Sequence, residues 1–192
     1  MKSKGTVIEE EGAFSKVIIG NSYVYKIWVN DPAYEDWLRV CRNEENSWVP
    51  KLIGPIKLMK IFFKRNDQVP ENPKDHYFPS TLKIQKIEKL ATNPNENDSK
   101  IFANCISELI DTKFSISDLS KILMTELDNT EFNIDLIVSK ADELYTIILA
   151  IRNLVKHEHN IDLHSQNFMM RGDQPVITDP IMNNGIIYLK DL

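Results

Sequence analysis

Residues 159–180 read HNIDLHSQNFMMRGDQPVITDP. Two short apolar runs, Phe168-Met169-Met170 and Val176-Ile177, flank a polar turn at Arg171-Gly172-Asp173. Apolar runs separated by a Gly-containing turn pair as adjacent strands, so the stretch predicts a small hairpin. Asp162 and Asn167 precede the first run, and Asp179 follows the second directly. A hairpin folds the chain back on itself, so the loop and the second acid should meet at one end. Two carboxylates and an amide suit Mg2+, which takes few protein ligands and keeps phosphate oxygens and water.

Upstream of this stretch the pattern is helical. Segments 98–110, 117–127 with Ser117 as N-cap, and a long one over 134–156 carry apolar residues at helical spacing. In the last, Ile137, Ala141, Leu144, Tyr145, Ile148 and Val155 form one stripe, which core packing explains without any further role. ATNPNEND, residues 91–98, is rich in helix breakers and marks a boundary between two lobes. The division is placed at 1–88 and 89–192.

The first lobe reads as strands. Thr6-Val7-Ile8, Lys16 to Ile19 and Tyr23 to Trp28 are rich in β-branched and aromatic residues, with Gly20-Asn21-Ser22 as a tight turn. Asp31-Pro32 opens a helix whose Tyr34, Trp37, Leu38 and Cys41 share a face. Pro50 and Pro55 bracket a short connection, and 56–63 and 81–87 read as two further strands. The polar, proline-rich piece between them reads as a surface loop. Sheet with one helix, linker, helices, then hairpin is an α+β order in two lobes.

At 192 residues the chain is long enough to bury a real core. Its net charge of −5, with basic residues spread out, argues against a nucleic-acid partner. Cys41 and Cys105 have no metal-ligand spacing and read as small buried apolar residues of a reducing compartment. MKSKGTVIEEEG has no apolar core of a signal peptide, and no run is long enough to span a bilayer. A cytoplasmic protein without a membrane partner is expected.

Two features of the first lobe could serve a phosphate-handling site. Gly12, in Glu11-Gly12-Ala13-Phe14-Ser15-Lys16-Val17, would let backbone N–H groups approach a phosphate. By itself an isolated glycine of this kind is usually just a turn residue. Lys26 sits mid-strand among apolar residues, a costly place unless it faces a cleft or a partner. Its stem could also carry the charge out to water. Glu35 is the first candidate to pair with it, Asp36 or Glu44 the second. His164 reads as a hydrogen-bonding loop residue, His157 and His159 as a solvated helix end, and His76 as a loop residue.

Asp-x-x-x-x-Asn, two short strands and then Asp is also the layout of a kinase catalytic loop and its metal-binding acid. The chain resembles the protein-kinase-like superfamily, with the early-gene protein kinases of T7-type bacteriophages as its nearest likeness. There a similar Asp-x-His-Ser-x-Asn segment runs into Ile-Thr-Asp-Pro. The likeness is dense over 162–180 and looser over 12–28. It implies a compact bilobal kinase-like fold with a truncated C-terminal lobe, acting on ATP with Mg2+. Asp162 would orient the substrate hydroxyl and accept its proton, and Asn167 and Asp179 would hold Mg2+. Lys26 would contact the α- and β-phosphates, steadied by Glu35, under a cover of Gly12, Ala13, Phe14, Ser15 and Val17. Backbone groups of the hinge at Glu88-Lys89-Leu90 would meet adenine.

The sequence departs from the family pattern at several points. Glu10 and Ser15 stand where two of three loop glycines belong. Asn160 and Ile161 replace the His and Arg before the catalytic Asp. Without that Arg, control by a phosphorylated loop loses its usual partner. Pro180 follows the metal-binding acid and favours an extended backbone at Asp179. Only 181–192 follow, too few for the helices that hold peptides in larger kinases. Three functions are therefore weighed. The first is a Ser/Thr protein kinase of phage or bacterial origin acting on a host or self protein, in the host cytoplasm if phage-encoded. The others are a kinase-fold binding protein that blocks or remodels a host partner, and a small-molecule phosphotransferase, which the Asp-Leu-His-Ser-Gln-Asn form also resembles.

Overall fold

The computed structural model describes residues 9–11, 15–29, 31–43, 46–64, 77–157 and 159–183. Strands β1 (Glu9–Glu11), β2 (Ser15–Ile19) and β3 (Tyr23–Trp28) pair in antiparallel succession. The β2–β3 turn closes with Gly20 N donating to Tyr23 O at 2.9 Å. A side chain at Gly20 would meet that carbonyl at 3.0 Å, so glycine suits the close approach. The expected strand Thr6-Val7-Ile8 lies outside the described residues, as do Gly12, Ala13, Phe14, Glu44, His76 and 184–192.

Strands β4 (Leu52–Lys64) and β5 (Tyr77–Glu88) complete a five-stranded antiparallel sheet in the order β1-β2-β3-β5-β4. Strand β4 begins at Leu52, four residues earlier than its sequence suggests, and takes in Pro55. Gly54 adopts φ +71° where the register shifts between Ile53 and Lys57. A bulge tolerates a residue that has no N–H for the ladder. The buried Gln85 side chain donates to the Gly54 carbonyl there at 3.2 Å.

The remaining elements are α1 (Pro32–Asn43), β6 (Ala91–Thr92), α2 (Glu96–Asp111), α3 (Ile116–Glu126), α4 (Ile134–Ser139), α5 (Ala141–His157), β7 (His159–Ile161), β8 (Phe168–Arg171), β9 (Gln174–Ile177) and β10 (Ile181–Asn183). A 3-10 turn, Ser165–Asn167, precedes β8. The architecture is α+β, and every strand pairing among the described residues is antiparallel.

Two helix expectations need correction. The third helix is capped by Ser115, two residues before Ser117. The Ser115 side chain accepts from Asp118 N while Asp118 accepts from Ser115 N, a reciprocal capping box. The single long helix over 134–156 is two helices. Ser139 Oγ donates to Leu136 O, and Lys140 N closes a tight turn onto Ile137 O. The Lys140 carbonyl accepts Trp48 Nε1 at 3.0 Å, a tertiary contact that apolar periodicity does not register.

The capping box makes a direct prediction. Hydrogen bonds from Ser115 hold the Asp118 carboxyl below its ordinary value near 3.8. A depressed folded value means that this stabilisation is present above pH about 4 and is lost as pH falls through the folded value. Ser115→Ala deletes the side-chain bond and keeps the backbone one, so it should raise the Asp118 midpoint part of the way to its ordinary value in an NMR pH series and lessen that acid sensitivity. An unchanged Asp118 midpoint would contradict the assignment.

The chain divides into two units. One comprises Met1–Asp31, Lys51–Lys89 and Gly185–Leu192, the other Pro32–Pro50 and Leu90–Asn184. The break after Lys89 lies one residue from the expected boundary, but α1 goes with the helical unit rather than with the sheet. Its apolar face, Ala33, Tyr34, Trp37, Leu38 and Cys41, is buried. Ala33 N donates to Asn183 Oδ1, and Trp37 Nε1 to Thr178 O, both at 2.9 Å. Asp36 Oδ2 meets His159 Nε2 at 2.9 Å. His159 is therefore a buried partner of α1, not a solvated helix end. No helix among the described residues is long and apolar enough to cross a membrane.

Candidate phosphotransfer site

Within the helical unit the hairpin forms as its sequence predicts. Strands β8 and β9 pair with Phe168 opposite Ile177 and Arg171 opposite Gln174. Gly172 turns the chain at φ +60°, a conformation that costs an ordinary side chain about 1–2 kcal/mol. The base of the hairpin is set in the core. Phe168 meets Phe102 edge-on at 5.2 Å, and Phe102 stacks on Trp48 at 5.8 Å. The far end is tied by Arg171, which donates to the carbonyls of Ser47 and Val49.

The hairpin brings the loop and the segment after β9 together. Thr178 N and Oγ1 both donate to the Asn167 carbonyl, at 2.9 and 3.1 Å. Two residues on, the Pro180 carbonyl accepts from Asp162 N at 2.8 Å, and Ile181 pairs with Ile161. Asp179 thus sits between two residues that are each hydrogen-bonded to the loop carrying Asp162 and Asn167. The charge of Asp179 also reaches α1. Burial first, then that charge, holds the Cys41 thiol far above its ordinary value.

Asn167 is buried, and its side chain is held in one orientation. Its amide nitrogen donates to the Asp162 carbonyl at 2.5 Å and to His164 Nε2 at 3.0 Å. Neither bond uses Oδ1, the one atom of that side chain able to ligate a cation. His164 acts as a hydrogen-bond acceptor inside the loop, and its Nε2 lies 3.8 Å from Asp162 Oδ1. Among the described residues no group of three or more His, Cys, Asp or Glu side chains could hold a metal ion. The oxygens that the expected Mg2+ set would draw on here are one amide and one carboxylate, those of Asn167 and Asp179. That is a sparse set for an ion that favours phosphate and water oxygens.

The sheet unit holds the other candidates. Lys26 is half-buried on β3, opposite Val17 on β2 and Gln85 on β5. Cross-strand partners share a sheet face, so Lys26 shares its face with buried Ser15, Trp28 and Gln85. The strands flanking Gly12-Ala13-Phe14 pair antiparallel, Glu11 opposite Lys16. Glu35 lies in the first turn of α1 and Asp36 follows it on the same helix, in the helical unit.

The hinge expectation changes at one atom. Glu88 N donates to Lys51 O at 3.0 Å, and Glu88 Oε1 accepts from Lys51 N at 2.6 Å. Its N–H is spent inside the sheet, so any backbone donor to a purine must come from a later residue. Leu90 is buried.

Sequence reasoning passed over Trp37 and Thr178, which hold the segment bearing Asp179. Trp37 reads as one more apolar position of a helix face. Its bond to Thr178 joins residues 141 apart, and no local pattern carries that signal. Neither a known family model nor a curated protein matches the chain.

Proposed function

We propose that the chain is an ATP-dependent phosphotransferase that moves the γ-phosphoryl group to a protein serine or threonine. The observation that carries this reading is the junction of 162–167 with 178–180. It gathers a carboxylate, an oriented amide and a second carboxylate by backbone hydrogen bonds. Lys26, on the face with the buried side chains of its sheet, is the cation the reading assigns to the α- and β-phosphates. The bilobal kinase-like fold with a short C-terminal lobe belongs to the same proposal.

Each residue then has a task. Asp162 orients the substrate hydroxyl and takes its proton as the oxygen attacks the γ-phosphorus. The bond from the γ-phosphorus to the bridging oxygen breaks, and ADP leaves with that electron pair. Asn167 Oδ1 and the Asp179 carboxylate would hold Mg2+, which when bound neutralises charge on the phosphate oxygens. His164 keeps Asn167 from rotating. Lys26 offers a positive charge to the phosphates that do not transfer.

The test is incubation with Mg2+ and γ-labelled ATP, alone and with bacterial lysate, beside Asp162→Asn. Wild-type protein should label protein bands, and the variant should lose about 10²–10⁴-fold in rate. Labelling that Asp162→Asn leaves unchanged would overturn the assignment. A labelled metabolite with no labelled protein would move the substrate class to small molecules.

A further inference from the structure

The net charge of −5 conceals a segregation. The sheet unit carries 14 Lys and Arg against 9 Asp and Glu, and the helical unit 9 against 19. Within the five-stranded sheet the excess gathers at one side. Among the described residues strand β4 is one edge, and Lys51, Lys57, Lys60 and Lys64 lie on it or at its start. Lys57 and Lys60 are exposed, and between them Leu58 and Met59 are 68% and 51% exposed.

The sheet also thins from Met59 onward, the second half of that stretch. Strand β3 pairs with β5 only from Lys83 to Glu88, whereas β4 follows β5 out to Tyr77. Over Tyr77–Leu82, β4 is the one paired neighbour of β5 among the described residues. A two-stranded ribbon is marginal in water and gains from a third strand. An edge strand presents unpaired N–H and C=O groups that can template one.

We propose that the outer edge of β4 is a docking site for an extended acidic segment of a partner protein, added as a further strand. The alternation of a strand sets the pattern. Lys57 and Met59 point to one face, Leu58 and Lys60 to the other. A strand laid opposite them is matched by acid, apolar, apolar, acid in that order, one ion pair and one apolar contact on each face. The same lysines oppose a second copy of β4, since like charges facing across strands are destabilising. The inference does not depend on the phosphotransfer reading.

The test is fluorescence anisotropy of the full chain with a labelled decapeptide centred on Glu-Val-Val-Glu. Saturable binding is expected, weakening as salt rises. A Lys-Val-Val-Lys peptide, and the Lys57→Glu/Lys60→Glu protein against the original peptide, should each bind roughly tenfold more weakly or less. The same acidic peptide with alternate amides N-methylated should fail to bind, because strand addition needs its N–H groups. Four results would overturn the proposal: no binding, equal binding of the N-methylated peptide, equally tight lysine-dependent binding of oligo(dT), or lysine-dependent self-association in sedimentation. Circular dichroism of the double variant confirms that its fold is intact, as expected for two exposed side chains.

Discussion

Trp37→Ala should destabilise the protein by about 3–5 kcal/mol, read as a fall in the urea midpoint. Trp37 is wholly buried on α1, so truncation leaves a cavity that the surrounding helix and strand segments can only partly close. The loss is a large part of the 5–15 kcal/mol that a domain has in total. The indole also donates to Thr178 O at 2.9 Å. Trp37→Phe separates the two contributions. It keeps most of the ring's bulk and leaves a part-buried carbonyl without that donor, at a cost of about 1–3 kcal/mol. If the phosphotransfer reading holds, Trp37→Phe should also raise the Mg2+ concentration needed for half-maximal rate, because Thr178 is covalently joined to Asp179. Equal stability of wild type and Trp37→Ala would mean that α1 does not hold the 178–183 segment.

The fold was most legible where local chemistry and tertiary structure agree. Gly20-Asn21-Ser22 between two β-branched runs gives the β2–β3 hairpin, and Asp31-Pro32 opens α1 at Pro32. Arg171-Gly172-Asp173 reverses the chain between β8 and β9, which puts Asp162, Asn167 and residues 178–180 at one end. Misreadings fall where a distant residue decides. Apolar spacing runs unbroken through Lys140, and the helix divides where Trp48 bonds its carbonyl. Pro55 looks like a strand breaker, and the freedom of Gly54 makes room for it inside β4. His159 looks solvated until Asp36, 123 residues earlier, covers it. The amphipathic face of α1 was legible, but the surface it packs on was not. An apolar stripe specifies burial without naming its partner.

If the phosphotransfer reading holds, Asp179→Ala should lower phosphoryl transfer by a factor on the order of a thousand while the backbone junction stays formed. The backbone bonds that join this segment to the loop run from Thr178 to Asn167 and from Asp162 to Pro180. None uses the Asp179 side chain, so these backbone bonds remain when the carboxylate is removed. Its charge is also the lesser cause of the raised Cys41 thiol, so the variant should lower that thiol only in part, with burial still holding it up. Asn167→Ala makes the instructive comparison. It removes Oδ1 and also the donors to the Asp162 carbonyl and to His164. Activity should fall as far, but here thermal stability should fall with it, because a part-buried carbonyl loses its partner. Melting curves beside rates of label transfer from γ-labelled ATP separate the two variants. The loop bonds made by the Asn167 side chain give it a structural role beside the chemical one. If Asp179→Ala retained wild-type labelling, the carboxylate would have no part in holding the metal, and the phosphotransfer reading would lose its central residue.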